Sequence, residues 1–339
     1  KILVADSRWG HIILKKIRVA LLFGGKSAEH EVSLRSAKNV AAAMDKGRYE
    51  VVLVKISKTG QWPIRGSWEK FFSSIDVVFP ILHGPFGEDG TVQGLLKIIG
   101  VPFVGAGVLG SAVGMDKDVT KRLLREAGIP IGKFIVFKSG EQINFGRTQQ
   151  ELGLPLFIKP ANMGSSVGVS KVVDKSSFDQ AVKTAFKFDT KIIVEELIAG
   201  RELECAVLGN DEPIASVPGE IIVRDSFYTY EAKYSSTSET VTEMPAKVPQ
   251  KITKEIQRLA IQTFKTLGCE GLARVDFFLK KDGRVYVNEI NTMPGFTNIS
   301  MYPKLWAESG ISYPHLIDRL IQLALTRAKV EKKLQTTYQ

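Results

Sequence analysis

Residues 273–300, ARVDFFLKKDGRVYVNEINTMPGFTNIS, constrain this chain more than any other stretch. Two apolar, alternating runs flank Asp282-Gly283, and Asp-Gly between such runs signals a β-hairpin with a two-residue turn. With that turn, Asp276 falls opposite Glu289 and Arg274 opposite Asn291. The period of two puts all four side chains on one face. Carboxylates opposed across a ladder repel each other unless a cation sits between them. Aspartate, glutamate and an amide oxygen are hard ligands suited to Mg²⁺, an ion that keeps phosphate oxygens and waters in its other positions. A neighbouring arginine can take charge developing on a transferring phosphoryl or acyl group. The plainer alternative is an amphipathic hairpin with a solvated charged face.

At 339 residues the chain is too long for one core, so two or three domains are expected. No apolar run approaches a membrane span, and no signal-peptide pattern opens the chain. Cys205 and Cys269 are the only cysteines, far apart and without metal-like spacing, which fits a reducing cytosol. The net charge of +10 raises nucleic-acid binding. The basic residues are dispersed, however, with no arginine-rich run or interleaved aromatics, so no nucleic-acid partner is expected. A phosphate-bearing small substrate accounts for part of the excess. Residues 1–15 are read as an extension ahead of the first convincing strand, which begins at Ile17.

Ile17 to Phe23, the glycines 24 and 25, and a helical pattern from Glu29 to Met44 form strand, turn and helix, the opening of an open α/β sheet. Gly24-Gly25-Lys26-Ser27 resembles the tail of a P-loop, but Ala20 stands where the first glycine must be. Glu29 is then either an acid at the mouth of the sheet, where ligands of such folds bind, or a helix-capping carboxylate. Tyr49–Ile56 and 77–82 read as further strands, with 61–74 short and polar. The strand at 77–82 runs into His83-Gly84 and a loop carrying Glu88 and Asp89, suited to binding or acid–base work, or to Asp89 capping a helix from Thr91.

Gly105 to Gly110 matches the dinucleotide fingerprint G-x-G-x-x-G after a short strand at 101–104, but a helix at 111–127 replaces the strand and acid that fingerprint requires. Lys117 lies on that helix. The strand ending in Lys159 leads into Asn162-Met-Gly-Ser-Ser-Val-Gly168 and another strand at 169–172. Glycines let backbone N–H groups approach phosphates, the serines add donors and Lys159 adds charge. A helix at 177–188 and a strand at 191–194 lead into Glu195-Glu196-Leu197, where carboxylates and exposed backbone could hold an adenine and a ribose. Strands are expected at 202–208 and 220–223. The 24 residues from Arg224 to Lys247 lack a core pattern and read as a lid rich in aromatics. Helices at 251–267 and 313–329 complete the chain.

Seven ordered motifs resemble the D-alanine–D-alanine ligases of the ATP-grasp superfamily: GGKSAEHEVSLRSA (24–37), HG-x-x-GEDG (83–90), MDKDVTKRLL (115–124), LFIKPANMGSSVGVSKV (156–172), YEAKY (230–234), ARVDFF (273–278) and NEINTMPGFTNISMYPKLW (288–306). The resemblance implies an α/β ATP-grasp fold of three domains behind an open, mostly parallel N-terminal sheet. The expected bounds are 16–105 for the substrate domain, 106–197 for the central ATP-grasp subdomain, and 198–330 for the C-terminal subdomain with its lid at 224–247. A polar tail follows at 331–339.

What the family does implies ATP-dependent joining of two D-alanines through an acyl phosphate, for peptidoglycan synthesis in the cytoplasm, by a homodimer. Carried over by motif, Lys117, Lys159 and Lys233 contact ATP phosphates, Glu195 and Leu197 line the adenine site, and Glu202 takes the ribose. Asp276, Glu289 and Asn291 hold two Mg²⁺, with Mn²⁺ able to substitute. Glu29 receives the ammonium of the first D-alanine within a hydrogen-bonded set with Ser165 and Tyr234. His83 lies near the substrates, Arg274 and the Gly295 N–H stabilise the tetrahedral oxyanion, and Ser300 and the Met301 backbone hold the second carboxylate. A D-alanine–D-lactate ligase is the nearest alternative, against which Tyr234 within YEAKY argues. A nucleotide-binding regulatory protein would need a metal ligand or phosphate lysine to be missing, and none is. The span 61–75 is shorter than in some members, which bears on contacts between subunits.

Overall fold

The computed structural model describes residues 15–223, 240–335 and 337. Three sheets carry them. The first is parallel, in the order β2-β1-β3, from β1 (Ile17–Gly24), β2 (Tyr49–Ile56) and β3 (Val77–Ile81). Its strands read as unbroken apolar runs because parallel strands are covered on both faces. Val19 and Leu21 enter one core and Ala20 and Leu22 another, as alternation requires. Helices α1 (His30–Ala43), α2 (Trp68–Phe72) and α3 (Thr91–Ile99) accompany this sheet. The stretch at 61–74 is thus not featureless: α2 buries Phe72 beneath Trp62 and Trp68.

No strand forms at 101–104, where only an isolated bridge links Val78 to Phe103. The single helix expected at 111–127 is two, α4 (Val108–Met115) and α5 (Lys117–Glu126). They part at Asp116, whose extended backbone and side chain cap α5 by accepting from the N–H groups of Asp118 and Val119. The glycines of the false dinucleotide motif serve packing instead. A Cβ on Gly110 would stand 2.7 Å from the Gly268 carbonyl oxygen.

The second sheet is antiparallel, in the order β4-β7-β5-β6, from β4 (Phe134–Lys138), β5 (Leu156–Pro160), β6 (Ser170–Val172) and β7 (Lys191–Glu196). Helices α6 (Phe145–Leu152) and α7 (Lys175–Ala185) cover it, the latter started by a capping box of Asp174 and Ser177. β4 escapes a reading by alternation because Phe134 to Phe137 are all half-buried.

The third sheet runs β11-β10-β8-β12-β13, with β9 beside β8. Its strands are β8 (Arg201–Gly209), β9 (Ile214–Ala215), β10 (Gly219–Val223), β11 (Thr240–Glu243), β12 (Gly271–Leu279) and β13 (Val285–Asn291). β11 pairs with β10, so the far end of the expected lid, residues 240–243, is sheet. Residues 224–239 lie outside the described residues. Helices α8 (Gln250–Thr266), α9 (Met301–Glu308) and α10 (Tyr313–Glu331) complete the chain. Among the described residues no helix is long and apolar enough to cross a membrane. Buried Arg327 of α10 donates to the carbonyls of Phe103 and Gly105 and pairs with Glu270, tying the last helix to the end of the first sheet.

The β12–β13 hairpin departs from its expected geometry twice, and the departures cancel. Its turn holds three residues, Lys281 to Gly283: the Gly283 N–H donates to Lys280 O, Lys280 N–H donates to Arg284 O, and Gly283 takes φ +84°. The register beside the turn is therefore one residue off, pairing Leu279 with Val285. An extra residue on β13, Asn288, bulges between Asp276 and Phe277 and restores Asp276 opposite Glu289 and Arg274 opposite Asn291.

Candidate functional site

On the hairpin face, Arg274 grips Asp276 with two hydrogen bonds of 2.7 Å and reaches Glu204 at 3.0 Å. Asn291 Nδ2 donates to Asp276 at 3.0 Å. Glu289 lies 4.0 Å from the Lys117 ammonium. The repulsion expected between the opposed carboxylates is thus answered by the protein's own cations, Arg274 and Lys117. Burial works against the Arg274 charge, but Asp276 and Glu204 outweigh it and hold its pKa well above the ordinary range. Among the described residues no group of three or more His, Cys, Asp or Glu converges as a metal cage. Two carboxylates and one amide oxygen on one face do fit Mg²⁺, which takes few protein ligands and completes its shell with phosphate and water.

The glycine loop after β5 folds toward α1 from the first sheet. Ser165 and Ser166 adopt left-handed backbone, φ +51° and +60°, a conformation costly for non-glycine residues and typical of sites whose surroundings enforce it. Ser165 Oγ donates to the Glu29 carboxylate. Glu29 is the N-cap residue of α1, but its side chain makes no capping hydrogen bond and is engaged by Ser165 instead. Gly84 leaves room for that carboxylate: a Cβ there would lie 3.2 Å from Oε2.

His83, buried at the end of the first sheet, donates from Nδ1 to the Met293 carbonyl at 2.9 Å. Burial lowers its pKa against the pull of the Glu29 charge, so the ring is neutral and Nε2 carries the lone pair. That atom is buried without a hydrogen-bond partner among the described residues. Glu88 accepts from Gly84 N–H at 2.8 Å and from Met293 N–H at 2.9 Å. Burial and the nearby Glu29 carboxylate push its pKa up to about 8. Asp89 has only the local role foreseen for it, accepting from Phe86 and Thr91 N–H groups.

Between the second and third sheets lies a cleft of about 360 Å³, lined by Lys117, Lys159, Ser165, Glu195, Leu197, Glu202 and Glu289 among others. Lys117 Nζ donates to Met163 O at 2.6 Å, across the base of the glycine loop. Glu195 is gripped from both sides, by Lys121 at 2.8 Å and Lys159 at 2.5 Å. Burial tends to raise the Glu195 pKa, but the two lysines overcome it and bring it down to about 2. Burial likewise opposes the Lys159 charge, but Glu195 and Glu289 hold its pKa above the ordinary lysine range. The Leu197 N–H is engaged with Pro155 O at 3.4 Å.

Gly295 closes on Ser300: a Cβ there would stand 2.7 Å from Ser300 Oγ. Ser300 Oγ accepts from Thr297 N–H, and Ser300 sits immediately before α9, which opens with buried Met301. This loop is moored to the first sheet's helix, where Ser36 Oγ accepts from Phe296 N–H at 3.1 Å. The structure therefore brings Glu29 against Ser165 and near His83, with Glu29 and Arg274 both close enough to act on Glu88. Gly295 and Ser300 sit together in the loop tied to α1. Lys233 and Tyr234 lie outside the described residues.

Two residues escaped the sequence reading, and a third was read without its partner. Glu204 alternates onto the Arg274 face only through the β8–β12 register, which pairs it with Asp276. Glu88 was visible as a loop carboxylate, but not its reach to Met293. Lys121 stands one turn beyond Lys117 on α5, the only local signal for it.

Known proteins resemble this chain along nearly its whole length. A family profile described as D-ala D-ala ligase N-terminus matches residues 18–71 and 63–106, and one described as D-ala D-ala ligase C-terminus matches 123–322. The D-alanine–D-alanine ligase of Oceanobacillus iheyensis is 48% identical over 361 residues, covering 95% of this chain and 99% of that one. Among solved structures, a D-Ala:D-Ser ligase from Enterococcus faecalis is 37% identical with TM-score 0.82, covering 91% of this chain and 100% of that one. The D-alanine–D-alanine ligase of Bacillus anthracis complexed with ATP is 31% identical with TM-score 0.80, covering 93% and 99%.

Proposed function

Because the chain belongs to the D-alanine–D-alanine ligase family and has its ATP-grasp fold, we propose that it joins two D-alanines to D-alanyl-D-alanine, converting ATP to ADP and phosphate. The observation that carries this reading is the contact of Ser165 with Glu29. It joins the phosphate-type loop to an acid able to receive a substrate ammonium.

In this reading the carboxylate of the first D-alanine, its ammonium on Glu29, attacks the γ-phosphorus of ATP. Lys117 and Lys159 lie along the cleft where the phosphates run, with Lys233 a third cation by motif. Leu197 and Glu195 border the adenine and Glu202 the ribose. Asp276, Glu289 and Asn291 would hold Mg²⁺ or Mn²⁺, which supplies positive charge against the phosphate oxygens when bound. The second D-alanine, its carboxylate held at Ser300 and the Met301 backbone, loses a proton from its ammonium, and the free amine attacks the acyl carbon and expels phosphate. Arg274 and the Gly295 N–H face the charge that develops on the tetrahedral carbon. His83 offers a neutral Nε2 beside these groups. An acyl phosphate is vulnerable to water; the lid read from the sequence at 224–247 lies, with Tyr234, largely outside the described residues. The product's place is peptidoglycan precursor synthesis in the cytoplasm, and the family resemblance carries a homodimer with it.

The test is phosphate release with ATP and Mg²⁺ in the presence of D-alanine, L-alanine, or D-alanine mixed with D-serine or D-lactate. Release should depend on D-alanine and not L-alanine, with D-alanyl-D-alanine the main product of each mixture. Absence of D-alanine-dependent release defeats the ligase reading; a mixed product in excess defeats the choice of acceptor.

A further inference from the structure

Lys121 has no part in the chemistry above, yet its side chain is only 4% exposed. It follows Lys117 by one turn of α5, so both reach the same side of the helix. Its Nζ takes one oxygen of Glu195, Oε1, and Lys159 takes the other, Oε2. The Phe134 ring on β4 backs Lys121, with Nζ 5.8 Å from its centre. A buried lysine alone tends to lose its proton, and a buried lysine with one carboxylate becomes a neutral pair. Neither state offers net charge to a polyphosphate. Two lysines on one carboxylate do, since the triad as a whole carries +1.

We propose that Lys121 is a positioning residue for the nucleotide phosphates, acting through Glu195: by neutralising that carboxylate it keeps Glu195 from cancelling the Lys159 charge at the cleft. The inference rests on the reading of Lys159 as a phosphate ligand. It makes Glu195 an anchor of the phosphate cradle, whatever its backbone contributes to the adenine. Lys121 itself touches no substrate.

The experiment measures dissociation constants for Mg-ADP and for adenosine, which lacks phosphates, by calorimetry. The proteins are the parent, Lys121→Met, Lys121→Arg, Lys159→Met, Glu195→Gln and the double variant Lys121→Met/Glu195→Gln. Removing one ion pair at a buried site predicts that Lys121→Met weakens ADP by about tenfold while adenosine moves less than about threefold. Lys121→Arg keeps the ADP-to-adenosine ratio of the parent. Once Glu195 is uncharged there is nothing for Lys121 to neutralise, so the double variant matches Glu195→Gln in that ratio. Equal weakening of both ligands, or an undiminished Lys121 effect in the Glu195→Gln background, overturns the proposal. If Lys121→Met does not fold, the arginine and double variants decide on the same ratio. An unchanged ratio in Lys159→Met would instead defeat the phosphate reading of Lys159.

Discussion

Ser165 donates a hydrogen bond to the Glu29 carboxylate across 136 residues of sequence. Glu29 belongs to the head of a helix on a parallel sheet, and Ser165 to a glycine loop on an antiparallel one. Their contact brings the first sheet against the glycine loop of the second, and in the proposed reaction it ties binding of an amino acid to the loop beside the phosphates.

Ser165→Ala should therefore act on the amino-acid side. Removing one partner of a buried carboxylate costs about 1–3 kcal/mol, or up to about a hundredfold. The KM for the first D-alanine should rise by that order while the affinity for ADP moves less than about threefold. Steady-state kinetics with nucleotide titration distinguishes the two; an effect on ADP alone would place Ser165 wholly in the phosphate loop.

Asp276 and Glu289 should differ in stability although both face the same site. Asp276→Asn leaves the buried Arg274 guanidinium with a weakened partner, which should lower stability by about 3 kcal/mol. Glu289→Gln removes an acid that stands 4.0 Å from the Lys117 ammonium and should leave stability within about 1 kcal/mol. Both should lose turnover. Denaturant unfolding in EDTA checks the difference, and equal losses would show that Arg274 does not depend on Asp276.

Glu88 should make stability depend on pH. Its folded pKa, about 8, lies above the ordinary 4.5. Between those values the native protein holds a proton that the unfolded chain has released, so this group's contribution falls as pH rises through that window. Glu88→Gln cannot ionise and escapes the loss. Its stability relative to the parent should grow by about 1 kcal/mol per pH unit from about pH 5 to pH 8, then level off. Unfolding of both proteins across that range is the measurement; a flat difference would mean that Glu88 is ionised throughout.

Gly295→Ala should disturb the second amino-acid site. The added methyl would stand 2.7 Å from Ser300 Oγ, so the Ser300 side chain or the loop must shift. The KM for the second D-alanine should rise about tenfold or more, as expected when binding groups are misplaced by about 1 Å. Nucleotide affinity should hold. The two D-alanine sites separate in the rate's dependence on D-alanine concentration, and a change confined to the first site would place Gly295 elsewhere in the mechanism.

Much of the architecture was legible where chemistry repeats over a few residues. The apolar runs of β1 and β3, the helix following the glycines at 24 and 25, and the Asp-Gly hairpin all follow from local periodicity and turn preference. Where the local signal is weak it failed: β4 has no alternation, and the break between α4 and α5 depends on Asp116 turning its side chain to cap. The hairpin is instructive because its site-bearing register came out right for an incomplete reason. A three-residue turn and a bulge at Asn288 offset each other, and neither has a strong sequence mark.

By itself the sequence determined which residues share a strand face: Arg274 with Asp276, and Glu289 with Asn291. Such relations follow from backbone period alone. Only the tertiary structure decided that Glu29 meets Ser165 instead of capping α1, that Glu88 reaches Met293, and that Glu195 is shared by two lysines. Which partner a polar side chain takes depends on what burial leaves within reach, and burial is a property of packed sheets, not of neighbouring residues.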